Sequence, residues 1–178
     1  MSDLRNYAVE ETLKNGLSVT VRAIRPDDKS RLVAAFEELE PQSIYSRFFQ
    51  HKRELSDAEL RKATEVDFKN EVALVVTIRQ DDREVIIGSG RYIVYVTPEE
   101  ARNAEIAFIV EEKYHGQGVA SRLLRHLIRI ARDQGVKRFT AETLRGNQSM
   151  LAVFAHCGLP LEKKQLADVV QVTLLLAE

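Results

Sequence analysis

At 178 residues, 44% of them apolar and 30% charged, the chain has the size and make-up of one soluble globular domain, able to bury about 70% of its unfolded surface. Its apolar runs fall far short of the ~20 residues that span a bilayer, the polar start MSDLRNYAVEE does not read as a signal peptide, and a net charge of −1 gives no general pull toward nucleic acid. The single cysteine, Cys157, excludes an internal disulfide and a multi-cysteine zinc site, so a reducing cytoplasm is the expected compartment.

In chain order, residues 17–24 alternate as a half-buried strand, and Pro26-Asp27 stop it and open a helix with Leu32, Val33, Phe36 and Leu39 at helical spacing. Pro41 is expected to end that helix. The aromatic-rich segment SIYSRFFQ follows at 43–50, then a helix whose start is marked by Ser56 and Glu59, a capping box. Residues 72–79 form a strand, Asp81-Asp82 turn the chain, and EVIIGSGRYIVYV returns as the second arm of a hairpin. Gly88 and Gly90 in that arm signal a bulge or a close approach to a ligand. A third strand covers 104–110. After it come a turn with Gly116 and Gly118, a long helix stopped near Gly135, a strand at 136–144, a short helix closed by Gly158, and a last strand, DVVQVTLLL. With no repeat or linker, residues 1–178 read as one α/β domain with a mixed, mostly antiparallel sheet flanked by helices.

The stretch AEIAFIVEEKYHGQGVASRLLRHLIRI, residues 104–130, carries the functional signal. A strand, a glycine turn and a helix let backbone N–H groups converge on a phosphate. A Walker loop is excluded, since no Gly-Lys-Ser or Gly-Lys-Thr occurs. A dinucleotide fingerprint fits poorly, because its strand opens a parallel unit and this one follows strands read as antiparallel. A purely structural turn stays open on the glycines alone. On the following helix Val119, Leu123, Leu124, Leu127, Ile128 and Ala131 make one apolar face. Arg122, Arg125, Arg129 and Arg132 lie on the other, which reads first as a solvated face; Arg122 and Arg125, in the first two turns, are the ones that could reach cofactor phosphates.

His115, Gly118 and Ala120 stand where a known loop carries Gln or Arg, then Gly, then Gly or Ala; with the acidic strand before them, the Leu-rich helix after them and the Asn147-to-Gly158 segment, the chain resembles the GNAT superfamily of N-acetyltransferases. The segments VRAIRPDD and SIYSRFF further resemble the domain of bacterial protein lysine acetyltransferases. The resemblance implies acetyl-CoA as co-substrate, no metal, and transfer of the acetyl group to a primary amine, a protein lysine, by direct attack in a ternary complex. A small-amine acceptor and a non-catalytic acyl-CoA sensor are the alternatives. It also implies that residues Gly116, Gln117, Gly118, Val119, Ala120 and Ser121 hold the pyrophosphate, that the backbone of Phe108, Ile109 and Val110 pairs with pantetheine, and that Asn147 and Phe154 adjoin the cofactor. Two residues depart from the pattern. His115 replaces the usual donor at the head of the loop, and Phe154 replaces a tyrosine that protonates the leaving thiolate in many members.

The chemistry requires a base, because a lysine ammonium is neutral only about once in 2,500 at pH 7. Glu105, flanked by apolar residues, matches the glutamate that serves as base in several members, and burial there would poise a carboxyl for that task; Glu142 is the second choice, alone or through a water. His51, His126 and His156 show no metal-ligand spacing, and His126 is expected beside solvent-facing arginines. Cys157 reads as packing.

Overall fold

The computed structural model describes residues 3–48 and 52–176. Its centre is an eight-stranded sheet in the order β1-β2-β3-β4-β5-β6-β8-β7, where β1 is Ala8–Thr12, β2 Ser18–Ala23, β3 Glu71–Gln80, β4 Arg83–Val96, β5 Arg102–Val110, β6 Arg138–Leu144, β7 Leu161–Leu166 and β8 Val169–Leu175. Neighbours are antiparallel except β5 and β6, which run parallel. The helices are α1 (Lys29–Glu37), α2 (Pro41–Phe48), α3 (Asp57–Thr64), α4 (Val119–Asp133) and α5 (Gln148–Ala155). The mixed, mostly antiparallel α/β architecture is the expected one.

Strand alternation decides which helix covers which face. Gly88, Gly90 and Tyr92 of β4 face α4: a Cβ on Gly88 would stand 2.9 Å from Val119 Cγ1, a Cβ on Gly90 would stand 2.8 Å from Phe108 Cδ1 and 3.2 Å from Leu127 Cδ1, and the Tyr92 hydroxyl donates to Gln134. The two glycines therefore make room for a helix and a packed ring, not for a ligand. A bulge is present as well, with Ile87 the extra residue between the Val76–Gly88 and Thr77–Ile86 pairs. Beyond the bulge the odd-numbered residues Ser89, Arg91 and Ile93 face α1–α3, where Arg91 donates to the Ala63 carbonyl; before it the facing is reversed, and Glu84 reaches Arg31 of α1.

The expected apolar stripe of α4 is fully buried. The helix stops as read, with Gly135 at φ +78 and the Val136 amide returning to the Ala131 carbonyl. The β3–β4 hairpin turns on Asp81 and Asp82, both at positive φ, and Ser56 and Glu59 exchange the two bonds of a capping box at the start of α3. Other expectations are corrected. Strands β1 and β7 are additional. Pro41 opens α2 at its first helical position, where a missing N–H costs nothing. Residues 49 and 50 of the aromatic segment, and His51, lie outside the described residues.

Two ion networks fix the outer parts to this frame. The guanidinium of Arg22, in VRAIRPDD, is bidentate to Asp28 (2.9 and 2.7 Å) and to Glu84 (both 3.0 Å), and the Arg25 amide also donates to Asp28 at 2.8 Å. Arg22 and Asp28 are both buried, so this motif is the anchor that feeds β2 into α1. On the other side His126 is buried, not solvent-facing: its ring takes the Tyr7 hydroxyl on one nitrogen and donates to Glu11 with the other, and Arg125 pairs with the same carboxylate. The polar surface expected around His126 is covered by β1, which clasps α4.

Candidate active site

Strands β5 and β6 pair only at Asn103–Arg138, Ala104–Phe139 and Glu105–Thr140. Beyond that they part, while each stays paired on its outer edge, β5 with β4 and β6 with β8. The inner edges of 106–110 and 141–144 thus carry backbone groups with no strand between them, and both stretches line a cleft of about 1130 Å³. The cleft passes through the sheet at this fork. On one side it is walled by residues 114–116 and 118–121 at the start of α4 and by Met150, Val153 and Phe154 of α5; on the other it is walled by Glu40, Gln42, Ser43, Tyr45 and Arg47 of the α2 region.

The glycine turn has the backbone a phosphate cradle needs. Gly116 (φ +78) and Gly118 (φ +92) are left-handed, a conformation that favours glycine, and Gly118 caps α4 with Val119 packed down on Gly88. The amides of the first turn of α4 therefore have no intrahelical acceptor and face the cleft mouth. The Nε2–H of His115 is turned away from the cradle, donating to the Val110 carbonyl at 2.8 Å and bracing the turn against β5. The two arginines are engaged elsewhere as well. Arg122 folds back on the carbonyls of Gln117, Gly118 and Thr12 (3.4, 3.1 and 2.7 Å), and Arg125 is held by Glu11.

Of the other expected site residues, Phe108, Ile109, Val110, Gly116, Gly118, Val119, Ala120, Ser121, Glu142, Asn147 and Phe154 line the cleft, as does His115, whereas Gln117 and Glu105 do not. Phe154 is buried, its ring 6.1 Å from that of Phe108. Asn147 caps α5, accepting from the Met150 amide at 3.3 Å. Cys157 packs against the core.

The burial expected for Glu105 is absent. Ala104 and Ile106 point into the core, and the intervening Glu105 points to the other face at the last rung before the fork, where it is exposed. Glu142 is exposed on that same face, two residues beyond Thr140. The nearby cation is Arg47, pushed down to about 10 by its burial and by the charge of Arg91, with Glu105 acting in the opposite sense. An early helical region such as α2 reads either as one wall of an acceptor site or, more often, as core filling; Gln42, Ser43 and Tyr45 of α2, which form no charge or glycine pattern, line the cleft. This wall is tied to the cofactor side by Glu112, whose carboxylate accepts from the Glu40 amide at the start of α2 (3.2 Å).

Comparison with known proteins identifies this arrangement. The acetyltransferase (GNAT) family profile matches residues 32–159. This chain belongs to the GNAT family. An acetyltransferase of Pseudomonas aeruginosa is 28% identical over 140 residues, 79% of this chain and 74% of its own. The acetyltransferase Pat of Mycolicibacterium smegmatis is 30% identical over 149 residues, 84% of this chain but 43% of its own length. The crystal structure of the GNAT domain of S. lividans PAT superposes with a TM-score of 0.84 at 32% identity, covering 94% of this chain and 96% of that one. The protein is accordingly a GNAT N-acetyltransferase, and the family's acetyl-CoA fits the left-handed glycine turn and the open strand fork. Among the described residues no cluster of three metal-ligating side chains occurs, and no helix is long and apolar enough to cross a membrane.

Proposed function

We propose that residues 1–178 act as one catalytic domain that transfers an acetyl group from acetyl-CoA to a primary amine, a protein lysine, by direct attack in a ternary complex. The observation that carries this is the cleft's passage through the sheet: the glycine turn is on one side of the fork and an open, polar helix wall on the other. Cofactor and acceptor can then enter from opposite faces and meet between β5 and β6. The segments VRAIRPDD and SIYSRFF, which resemble those of bacterial protein lysine acetyltransferases, support a protein lysine as the acceptor, and the single cysteine is consistent with a cytoplasmic home.

When bound, acetyl-CoA supplies the activated thioester. The amides of Gly116 to Ser121 would hold its pyrophosphate, and the inner edge of Phe108, Ile109 and Val110 would pair with the pantetheine arm and orient the carbonyl. Proton removal from the acceptor ammonium is assigned to Glu105 at the apex of the fork, with Glu142, which lines the cleft, relaying through water. Both carboxylates are exposed on the acceptor face, so a proton taken up there passes readily to solvent.

The test is thiol release from acetyl-CoA with a panel of lysine peptides and polyamines. Turnover with peptides exceeding that with free polyamines is expected. Tight cofactor binding without thiol release for any acceptor would overturn the proposal, and preference for a polyamine would replace the protein acceptor by a small one.

A further inference from the structure

We propose that Lys14, in the turn between β1 and β2, is the cation that meets the cofactor pyrophosphate, taking over the charge that position 115 and the arginines of α4 do not deliver. The inference rests on the acetyl-CoA reading above. A pyrophosphate held only by backbone amides has its hydrogen bonds met but keeps its charge largely uncompensated, and a cation beside it adds affinity that salt weakens. Each side chain that sequence offers for this task is committed elsewhere. The His115 ring is bonded to Val110, the Arg122 guanidinium to three carbonyls, and Arg125 to Glu11.

Lys14 reaches the same place from the opposite end of the chain. Its amide donates to the Gln117 carbonyl inside the loop at 3.3 Å. Its Cε lies 3.7 Å from where a Cβ on Gly118 would be, and the residue lines the cleft. Among the described residues no carboxylate pairs with its ammonium, although Glu11 alone serves Arg122, Arg125 and His126 close by.

The turn that carries it is well fixed. Leu13 and Gly16 close it, with the Leu13 amide on the Leu17 carbonyl and the Gly16 amide on the Leu13 carbonyl, both at 2.9 Å, and the Leu17 amide bonds the Asn15 side chain at 3.1 Å. The strand leading into it is clasped to α4 through Tyr7, Glu11 and His126. The hairpin is thus held by α4 and returns a free ammonium to the mouth of the cradle that α4 begins. Because Lys14 adjoins Gly118 in the loop itself, the group it meets is the pyrophosphate, not the 3′-phosphate of the adenosine end.

The experiment is calorimetric titration of the full chain with coenzyme A and with 3′-dephospho-coenzyme A at low and physiological salt, for the wild type and for Lys14→Ala, Lys14→Arg and Gly118→Val. Lys14→Ala should weaken both ligands by the same factor, about ten-fold at low salt, with a flatter salt dependence, and Lys14→Arg should restore most of the affinity. Unchanged affinity for both ligands overturns the proposal. A loss confined to coenzyme A also overturns it by placing the lysine on the 3′-phosphate. If the wild type binds neither ligand, the acetyl-CoA reading itself fails; if Gly118→Val loses binding while Lys14→Ala keeps it, that reading stands and the lysine is removed. Equal melting temperatures of wild type and Lys14→Ala establish that the fold is intact.

Discussion

The two walls of the cleft are built by different physics. On the cofactor side, α4 lies directly on the sheet over two glycines, and the turn that starts it is held by left-handed backbone and by carbonyl-bound side chains. On the acceptor side, α2 is a short helix with a largely exposed polar face, tied to the sheet through Glu112 at its start and, more remotely, through the α1 anchor at Arg22 and Asp28. A site for an invariant ligand can be preorganised in the backbone, whereas a site for a variable acceptor is left to side chains on a lightly held element. Coenzyme A binding should accordingly respond most to backbone changes, and turnover to side-chain changes on the far face.

The largest expected effect bears on the anchor of the acceptor layer. Asp28→Asn leaves the buried Arg22 guanidinium short of a counter-charge, and truncating one partner of a buried pair costs about 3–5 kcal/mol. Urea denaturation should report that loss, and coenzyme A affinity of the folded fraction should stay within about two-fold of wild type. Burial opposes ionisation of Asp28, but the hydrogen bonds and charge of Arg22 and the Arg25 amide outweigh it and hold the carboxyl below the usual aspartate range. Glu84 is lowered too, chiefly by its hydrogen bond from Arg22. Both groups have folded-state values below their unfolded ones, so their stabilisation is complete above the ordinary carboxylate range near pH 4 and is lost as pH falls from there through the lower folded-state values. In Asp28→Asn the acid side of the stability profile should be flatter.

Next comes the cradle. Gly118→Val puts a branched side chain at φ +92, against the Arg122 guanidinium. The strain is of order 1–3 kcal/mol, and the displaced amides should lower coenzyme A affinity about 100-fold with a much smaller effect on the urea midpoint than Asp28→Asn. Retained affinity would mean that the loop is not the phosphate site.

On the far face, Glu105→Gln should lower kcat by about 10²-fold and flatten the alkaline rise of the rate, and Glu142→Gln should cost less than about ten-fold. The reverse order would make Glu142 the base. Neither substitution should change coenzyme A affinity, since both carboxylates lie across the fork from the glycine turn.

What could be read from the chain follows the same division. The strand 104–110, the Gly116–Gly118 turn and α4 were legible because backbone demands leave residue signatures: glycines where φ must be positive, and a leucine stripe where a helix meets a sheet. Strands β1 (AVEET) and β7 (LEKKQL) were not: β7 is exposed along nearly its whole length, and the half-buried face of β1 alternates through Val9 and the charged Glu11, so neither carries an apolar period to detect. Glu105 was legible as a residue but not in its surroundings, since a lone carboxylate among apolar neighbours looks buried until the strand's facing is known. His126 erred in the opposite direction, because the partner that buries it, β1, was itself invisible. The phosphate charge was sought on α4, where sequence proximity pointed, and not at Lys14, whose nearness to Gly118 is purely tertiary.

The smallest effect belongs to the position where the family pattern is broken. Phe154 is buried against Phe108 and lines the cleft at the cofactor wall, so Phe154→Tyr adds a hydroxyl to a ring already packed there. A thiol leaving group with a pKa near ~8.5 departs at neutral pH with little help from an acid. The variant should therefore raise kcat by less than about five-fold, with coenzyme A affinity unchanged, and the gain should fade above pH 9, where the free thiolate needs no proton. A gain of 100-fold or more would show that protonation of the leaving group, not deprotonation of the amine on the opposite face, limits this enzyme, and would move the slow step from the acceptor wall to the cofactor wall.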